Sequence, residues 1–410
     1  LAVAKALGAA QTVVVTAPGA EAVTKLAAEW GAETVVQERQ LGTGHAVLMG
    51  EKPLAGFNGN LLVLFGDAPL LTQATLSRLT ARLAKNADLS ALGFRAANPA
   101  GYGRMIVEND SLIRIVEDKD ASADERRIDL CFAGMLAGRA SAIFDLLHGI
   151  DNRNAQGEFY LTDIVALARK RGLNCAFVEG DEKEMLGVNS RAQLAQAESA
   201  FQARRRTELM ESGVSLLAPE TIHLSADTII EPDAIIGPYV VFGPGVTVRT
   251  GAEIRAFCHL EGAEVGAGAT VGPFARLRPG AVLEESVHVG NFVEVKNARL
   301  EKGAKANHLS YIGDARVGAA SNIGAGTITC NYDGDNKHFT DIGARVFVGA
   351  HATIVAPVKI GDGAYVGAGS VITENVAPDA LALGRARQVV KPGRADAIRA
   401  SNKTKKNRNG

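Results

Sequence analysis

The chain has 410 residues, 47% of them hydrophobic and 22% charged, and a formal net charge of −1. That balance gives no electrostatic reason to expect a nucleic-acid partner, and no apolar run approaches the ~20 residues that span a bilayer. Cys131, Cys175, Cys258 and Cys330 lie far apart with no Cys-x-x-Cys pair, which indicates neither a zinc site nor a disulfide framework; with no visible signal peptide the chain reads as cytoplasmic.

Length alone favours two domains. Residue 1 is Leu and residues 1–7 read as a helix already under way, so the sequence reads as a fragment that lacks its natural start. Residues 12–16 read as a strand, 20–30 as a helix, 33–36 as a strand, 45–51 as helical, 61–65 as a buried strand and 73–85 as a helix. This alternation predicts an α/β domain over residues 1–189, with a mostly parallel sheet covered by helices on both faces. Residues 190–213 are rich in Ala, Gln, Glu, Arg and Leu, with no Gly or Pro before Gly213, and predict one connecting helix arm.

Residues 214–387 carry a six-residue beat. Ile230, Ile236, Phe242, Val248, Ile254 and Leu260 fall six apart, as do Ile342, Val348, Ile354, Ile360, Val366 and Ile372. A hexapeptide period is the mark of a parallel β-helix, here of roughly eight to ten coils. No α-helix produces it, because a period of six drifts around a 3.6-residue turn. The remaining residues, 388–410, form a tail whose end, Lys403 to Arg408, is basic and is expected to be solvated and disordered.

The beat is irregular between Leu260 and Ile342, and the longest break contains Cys330-Asn331-Tyr332-Asp333-Gly334-Asp335-Asn336. Insertions in a repeat map to loops on one face, often the binding face. The same zone holds Arg276, Arg278, Lys296, His308 and Tyr311. Arg and Lys supply donors for a phosphate, and a histidine can take a proton near neutral pH. Each has a plainer reading: a single His beside a strand is usually a surface residue, an Asn/Asp/Gly-rich loop usually a turn, and Asn322 a stacking residue inside a coil. Their convergence in one zone favours chemistry.

Longer motifs make the likeness specific. Gly272-Pro273-Phe274-Ala275-Arg276-Leu277-Arg278-Pro279-Gly280, Gly290-Asn291-Phe292-Val293-Glu294-Val295-Lys296 and Asn322-Ile323-Gly324-Ala325-Gly326-Thr327-Ile328-Thr329-Cys330-Asn331-Tyr332-Asp333-Gly334 resemble a bacterial family. Its members combine an N-acetylglucosamine-1-phosphate uridylyltransferase with a glucosamine-1-phosphate N-acetyltransferase. In the first half Gln40-Leu41-Gly42-Thr43-Gly44-His45-Ala46, Gly66-Asp67-Ala68-Pro69-Leu70, Gly101-Tyr102-Gly103-Arg104, Phe159-Tyr160-Leu161-Thr162-Asp163-Ile164 and Gly187-Val188-Asn189 match its nucleotidyltransferase domain. The likeness covers nearly the whole chain.

The resemblance implies a Rossmann-like nucleotidyltransferase domain, a connecting helix and a left-handed β-helix. That handedness is an exception to the right-handed crossover rule. It implies a homotrimer whose acetyltransferase sites lie at subunit boundaries. It also implies small-molecule substrates: glucosamine 1-phosphate and acetyl-CoA, then N-acetylglucosamine 1-phosphate and UTP, with UDP-N-acetylglucosamine for cell-wall synthesis as product. By position His308 matches the general base, Arg278 and Lys296 the holders of the sugar phosphate, and Tyr311 and Asn322 further sugar contacts. Ala325, Asn331, Tyr332, Ala350, Ala368 and Arg385 match acetyl-CoA contacts, with Ala350 standing where better-known members have Ser.

In the first domain Asp67 and Asn189 match the residues that hold a magnesium ion. Gln37, Gly42, Thr43, Phe65 and Gly66 match UTP contacts, and Gly103 and Glu117 match contacts to the N-acetylglucosamine moiety. A plainer reading makes Asp67 a turn residue before Pro69. Two departures bear on this half. The family opens with a strand and a Gly-x-Gly-Thr-Arg-Met loop that cradles the triphosphate, and this sequence begins after it. Phe132 stands where members have Asn. The sequence therefore predicts acetyl transfer without uridylyl transfer.

Two other readings stay open. A metal hydratase on the same fold needs three converging His ligands; His259, His288, His308, His338 and His351 are present but not in that spacing. A non-catalytic nucleotide-sugar-binding trimer would tolerate change at His308 and Asn331.

Overall fold

In a computed structural model, which describes residues 1–406, the beat residues turn inward. Ile236, Phe242, Val248, Ile254 and Leu260 are completely buried, as are Val348, Ile354, Ile360 and Val366. Each stacks on its equivalent in the next coil through parallel pairing, Ile230 on Val248, Ile236 on Ile254 and Phe242 on Leu260. The resulting left-handed β-helix has one continuous apolar core, from Leu209 and Val214 up to Ile372.

Three faces follow from the pairing. One is a ten-stranded parallel sheet that includes Lys305–His308 and Asn322–Ile323, here the His308 face. A second carries Arg276–Leu277 and the first residues of Glu294–Leu300 and Tyr311–Val317, here the Tyr311 face. The third begins at Ile229–Ile230. The two seven-residue strands bend from the second face onto the third at Asn297 and Asp314, both at positive φ. The irregular beat has two causes. Some coils are one residue short, with Val248 pairing Val265 and Leu283 pairing Leu300. One coil, between Val317 and its partner Ile342, carries the inserted loop.

The chain divides into two compact units, Leu1–Phe201 and the residues from Gln202 onward. Helix Arg191–Glu211 runs through the point of division. Ser190 caps its start by accepting from the Gln193 amide at 3.2 Å, while the Gln193 side chain accepts from the Asn189 amide at 2.8 Å. Gly213 ends it at φ 96°, as only glycine does without strain.

The first unit corrects the expectation of a mostly parallel sheet. Strands Val13–Thr16 and Glu33–Val36 pair in parallel as a two-stranded sheet of their own. The main sheet is built around Leu130–Arg139, which pairs antiparallel with Asn60–Val63, Leu89–Arg95 and Arg104–Glu108. Only Cys175–Gly180 joins in parallel, along Leu89–Arg95. One further antiparallel pair is set locally: Asn109 and Asp110, both at positive φ, form the two-residue turn that joins Arg104–Glu108 to Ser111–Val116. The segment expected as a buried strand over 61–65 is Asn60–Val63, and only Val63 is buried. The stretch expected to be disordered, Lys403 to Arg408, begins within helix Arg394–Lys406; Asn407 and Arg408 lie outside the described residues.

Candidate active sites

In the β-helix, strand Lys305–His308 ends with His308 exposed at a corner. Its Nδ1 lies 2.7 Å from the Oδ1 of Asn291, its register partner one coil away. An amide oxygen only accepts, so this contact puts a proton on Nδ1, and in the neutral ring the lone pair is then on Nε2. Asn291 lies inside a motif read from the sequence but was not singled out there. The signal that finds it is the 17-residue offset between coils.

Around the corner, Arg278 donates to Glu294 at 2.8 Å, and Glu294 pairs in register with Tyr311. The hydrogen bond to the Glu294 carboxylate holds the guanidinium above its ordinary value. Lys296 lies on the same strand as Glu294, opposite Gly313. Asn331 is buried, with its amide donating to Asp314 and approaching the Tyr311 hydroxyl at 3.5 Å. Asn297 donates to the other Asp314 oxygen at 2.6 Å. Asp314, Asn297 and Glu294 are further polar members of this zone that sequence reasoning missed.

The inserted loop folds on itself. Tyr332 pairs antiparallel with Lys337, whose ammonium sits 4.4 Å from the centre of the Tyr332 ring, and the Tyr332 hydroxyl donates to Gly334. Asp333 accepts from the amides of Asn336 and Asp335 and from His338. These donors hold its carboxyl far below the usual carboxylate range, the Asn336 amide most of all. Ala325, Ala350 and Ala368 form a column over three coils: the His351 amide donates to Ala325 and the Gly369 amide to Ala350. Arg385 donates to the Ala368 carbonyl at 2.7 Å.

In the first unit the segment around Phe159 joins two groups of candidates. Gly42 sits at φ 112°, and a side chain there would meet the Phe159 carbonyl at 2.6 Å. The Thr43 hydroxyl accepts from the Leu161 amide at 3.0 Å, and Gln37 donates to His45 at 2.7 Å. One residue beyond Leu161, Thr162 donates to Glu117 at 2.9 Å, beside Gly103. Burial pushes the Glu117 carboxyl up. Burial, helped by the Glu117 charge, also raises Asp163 to about 6.

Asp67 and Asn189 flank Gly187, each with a side-chain atom within 4 Å of where its Cβ would stand, and the Val188 amide donates to the Asp67 carbonyl at 2.8 Å. Phe65 packs its ring against Gly134, which is held at φ 85°, and Gly66 follows it. Phe132 is buried in the core, and its amide donates to the Gly103 carbonyl at 2.8 Å. Among the described residues, no group of three or more His, Cys, Asp or Glu is placed to hold a metal, and no helix is long and apolar enough to cross a membrane.

Comparison with known proteins agrees with both halves. Residues 1–128 match the MobA-like NTP transferase domain, and residues 339–374 match the bacterial transferase hexapeptide (six repeats). The "Bifunctional protein GlmU" of Ruegeria sp. (strain TM1040) is 55% identical over 406 residues, covering 98% of this chain and 90% of that protein. The chain belongs to the GlmU family. The GlmU of Paramagnetospirillum magneticum (strain ATCC 700264 / AMB-1) is 52% identical over 396 residues, covering 96% of this chain and 88% of that protein. That of Agrobacterium fabrum (strain C58 / ATCC 33970) is 51% identical over 374 residues. Membership of the GlmU family brings the enzyme class with it: a transferase joining acetyl and uridylyl transfer in UDP-N-acetylglucosamine synthesis. Measured against the Ruegeria GlmU, the chain spans nine-tenths of the length, which corrects the expectation of a fragment to that extent.

Proposed function

We propose that the β-helix acetylates glucosamine 1-phosphate with His308 as general base. The observation that carries this reading is the Asn291 contact, which orients the imidazole so that in the neutral ring Nε2 is the free nitrogen. Nε2 takes a proton from the C2 amine as the nitrogen attacks the thioester carbon. The C–S bond then breaks, and the leaving thiolate is protonated by the imidazolium. A positioned base of this kind is worth ~10²–10⁴ in rate. Arg278 and Lys296 hold the sugar phosphate as fixed positive donors, with Arg278 aimed by Glu294. Tyr311 and Asn322 contact the sugar. The Asn331 N–H that makes only a long approach to Tyr311 is the one free to turn toward the oxyanion. Acetyl-CoA lies along the Ala325, Ala350 and Ala368 column, between Tyr332 and Arg385.

The first unit transfers the uridylyl group. Gln37, Gly42, Thr43, Phe65 and Gly66 bind UTP, and Gly103 and Glu117 bind the N-acetylglucosamine moiety. Asp67 and Asn189 would hold a magnesium ion. The Asp67 carboxylate and the Asn189 side-chain amide lie beside the same glycine, and with the amide turned to present its oxygen the pair would suit that ion. Bound there it neutralises charge on the phosphates. The enzyme works as a homotrimer, a reading supported by the hexapeptide-repeat β-helix.

Thiol release from acetyl-CoA with glucosamine 1-phosphate, compared with His308→Ala, tests the first activity. Release that needs the sugar and collapses in the variant is expected; equal release from both proteins removes His308 as base. Pyrophosphate release from UTP with N-acetylglucosamine 1-phosphate, compared with Asp67→Ala, tests the second.

A further inference from the structure

Strand Arg104–Glu108 opens with a buried cation that its surroundings only partly satisfy. Arg104 is 2% exposed. One terminal nitrogen donates to the Tyr102 carbonyl. The other donates to the Asp118 carboxylate at 2.9 Å and reaches the Arg126 carbonyl at 3.5 Å. The Nε–H is buried and has no partner. Buried polar groups are paired as a rule, so an exception marks a place where a partner belongs.

Arg104 belongs to the wall of a cavity of about 510 Å³, with the 98–100 loop, Asp118, Lys119 and Arg126. Lys119 and Arg126 are exposed, and their hydrogen-bond partners are neutral. Lys119 donates to the Gln156 side-chain oxygen at 2.6 Å, and Arg126 to the Asp118 carbonyl at 3.3 Å. Three cations against one carboxylate leave the cavity with two positive charges in excess. A phosphate monoester, with a charge of about −2, balances them and offers oxygens to all three donors. The volume exceeds what a bare phosphate ion fills and lies in the ordinary range for small-molecule sites.

The cavity backs onto the proposed sugar contacts. Gly103 directly precedes Arg104, and Glu117 directly precedes Asp118. Successive residues along a strand point to opposite faces, so Arg104 reaches Asp118 on one face while Gly103 and Glu117 meet on the other. A chain of hydrogen bonds also leads away from Lys119. The Gln156 amide that accepts from Lys119 donates to the Tyr160 hydroxyl at 3.0 Å, and two residues on Thr162 holds Glu117.

We infer that this cavity is an effector site for a small phosphate ester, whose binding draws Lys119 off Gln156 and weakens the hold on the acceptor sugar. The ester site stands on the cavity alone; its effect on the sugar rests on the uridylyl-transfer reading above.

Isothermal titration of the full chain with glycerol 3-phosphate, an ester that neither proposed reaction uses, tests the site. Glucosamine 1-phosphate is present to fill the Arg278 and Lys296 site. A Lys119→Ala/Arg126→Ala variant, altered only at exposed side chains, should bind at least tenfold more weakly. Asp118→Asn frees the Arg104 fork and should bind more tightly; far-UV circular dichroism checks that both variants fold. Equal binding by the wild type and the double variant overturns the inference, as does inorganic phosphate binding as tightly as the ester. In pyrophosphate-release assays the ester should raise the KM for N-acetylglucosamine 1-phosphate in the wild type only, at unchanged kcat. The same rise in the double variant would place the ester in the catalytic site, and no rise in either would remove the effector role. Binding that the double variant loses, in a chain that never releases pyrophosphate, would keep the ester site and sink the uridylyl-transfer reading.

Discussion

The Nδ1 of His308 and the Oδ1 of Asn291, one coil apart on the same face, are 2.7 Å from each other. Since the amide oxygen cannot donate, Asn291 selects the tautomer and fixes the plane of the ring. Asn291→Ala removes both constraints without touching the nitrogen that takes the proton. Acetyl transfer is expected to lose ~10–100-fold in kcat, within the range of a displaced general base, with little change in KM for either substrate. Asn291→Asp places a carboxylate on Nδ1, and its pH–rate profile should move to higher pH, because the charge favours the imidazolium. Thiol-release kinetics from pH 5.5 to 9 check both outcomes, and superimposable profiles would show that Asn291 does not act through His308.

Asp314 accepts from two amides, the buried Asn331 and the exposed Asn297. Asp314→Asn preserves the shape and tolerates the positive φ at this corner, but it turns one acceptor into a donor facing a donor. Leaving one buried amide unsatisfied costs ~1–3 kcal/mol. The melting temperature should fall by several degrees, and acetyl transfer should drop as Asn331 loses its anchor. Asp314→Ala leaves both amides unanchored and should lose at least as much of each. Thermal unfolding beside thiol release separates the two effects.

Legibility from sequence followed the strength of the repeat. The beat residues, one every six, named the core of the β-helix before any coordinate, and the motifs placed His308, Arg278 and Asn331 in one zone. Asn291 and Asp314 were invisible to that reading because their roles depend on the stacking of coils whose spacing shortens from 18 to 17 residues. In the first unit, alternating apolar and amphipathic segments gave the elements but not their pairing. Leu130–Arg139 is apolar along nearly its full length, and nothing in that pattern says that three neighbours run antiparallel to it. The Asn109-Asp110 turn was a local signal only for the separate hairpin of Arg104–Glu108 with Ser111–Val116.

Ala350 lies in the middle of the Ala325, Ala350 and Ala368 column, partly accessible and with its carbonyl already engaged by the Gly369 amide. A hydroxyl at this point adds a donor toward the cofactor without displacing a contact. One such hydrogen bond is worth ~0.5–1.5 kcal/mol net. Ala350→Ser is therefore expected to lower the KM for acetyl-CoA by about two- to tenfold and to leave the KM for glucosamine 1-phosphate unchanged. Initial rates over a matrix of both substrates decide it. An unaltered KM for acetyl-CoA would mean that only the backbone of residue 350 meets the cofactor.

Asp163 opens helix Asp163–Lys170, where the helix dipole favours a negative charge. Burial and the nearby Glu117, Asp151 and Asp120 charges outweigh the dipole and raise its carboxyl to about 6. The fold therefore prefers the protonated form. The stabilisation that goes with that proton is complete below the unfolded value of about 4 and is lost as pH rises through about 6. At pH 8 an ionised Asp163 is a liability that Asp163→Asn removes while keeping the shape. Because the group is partly open to solvent, screening reduces the gain to about 1 kcal/mol, or roughly 2–4 °C in melting temperature for a unit of this size. At pH 4.5, where the wild-type carboxyl is mostly protonated, the two proteins should melt together. Differential scanning calorimetry of both proteins at pH 4.5, 6 and 8 measures the difference, and a gap that does not widen with pH would show that Asp163 is not held protonated by its surroundings.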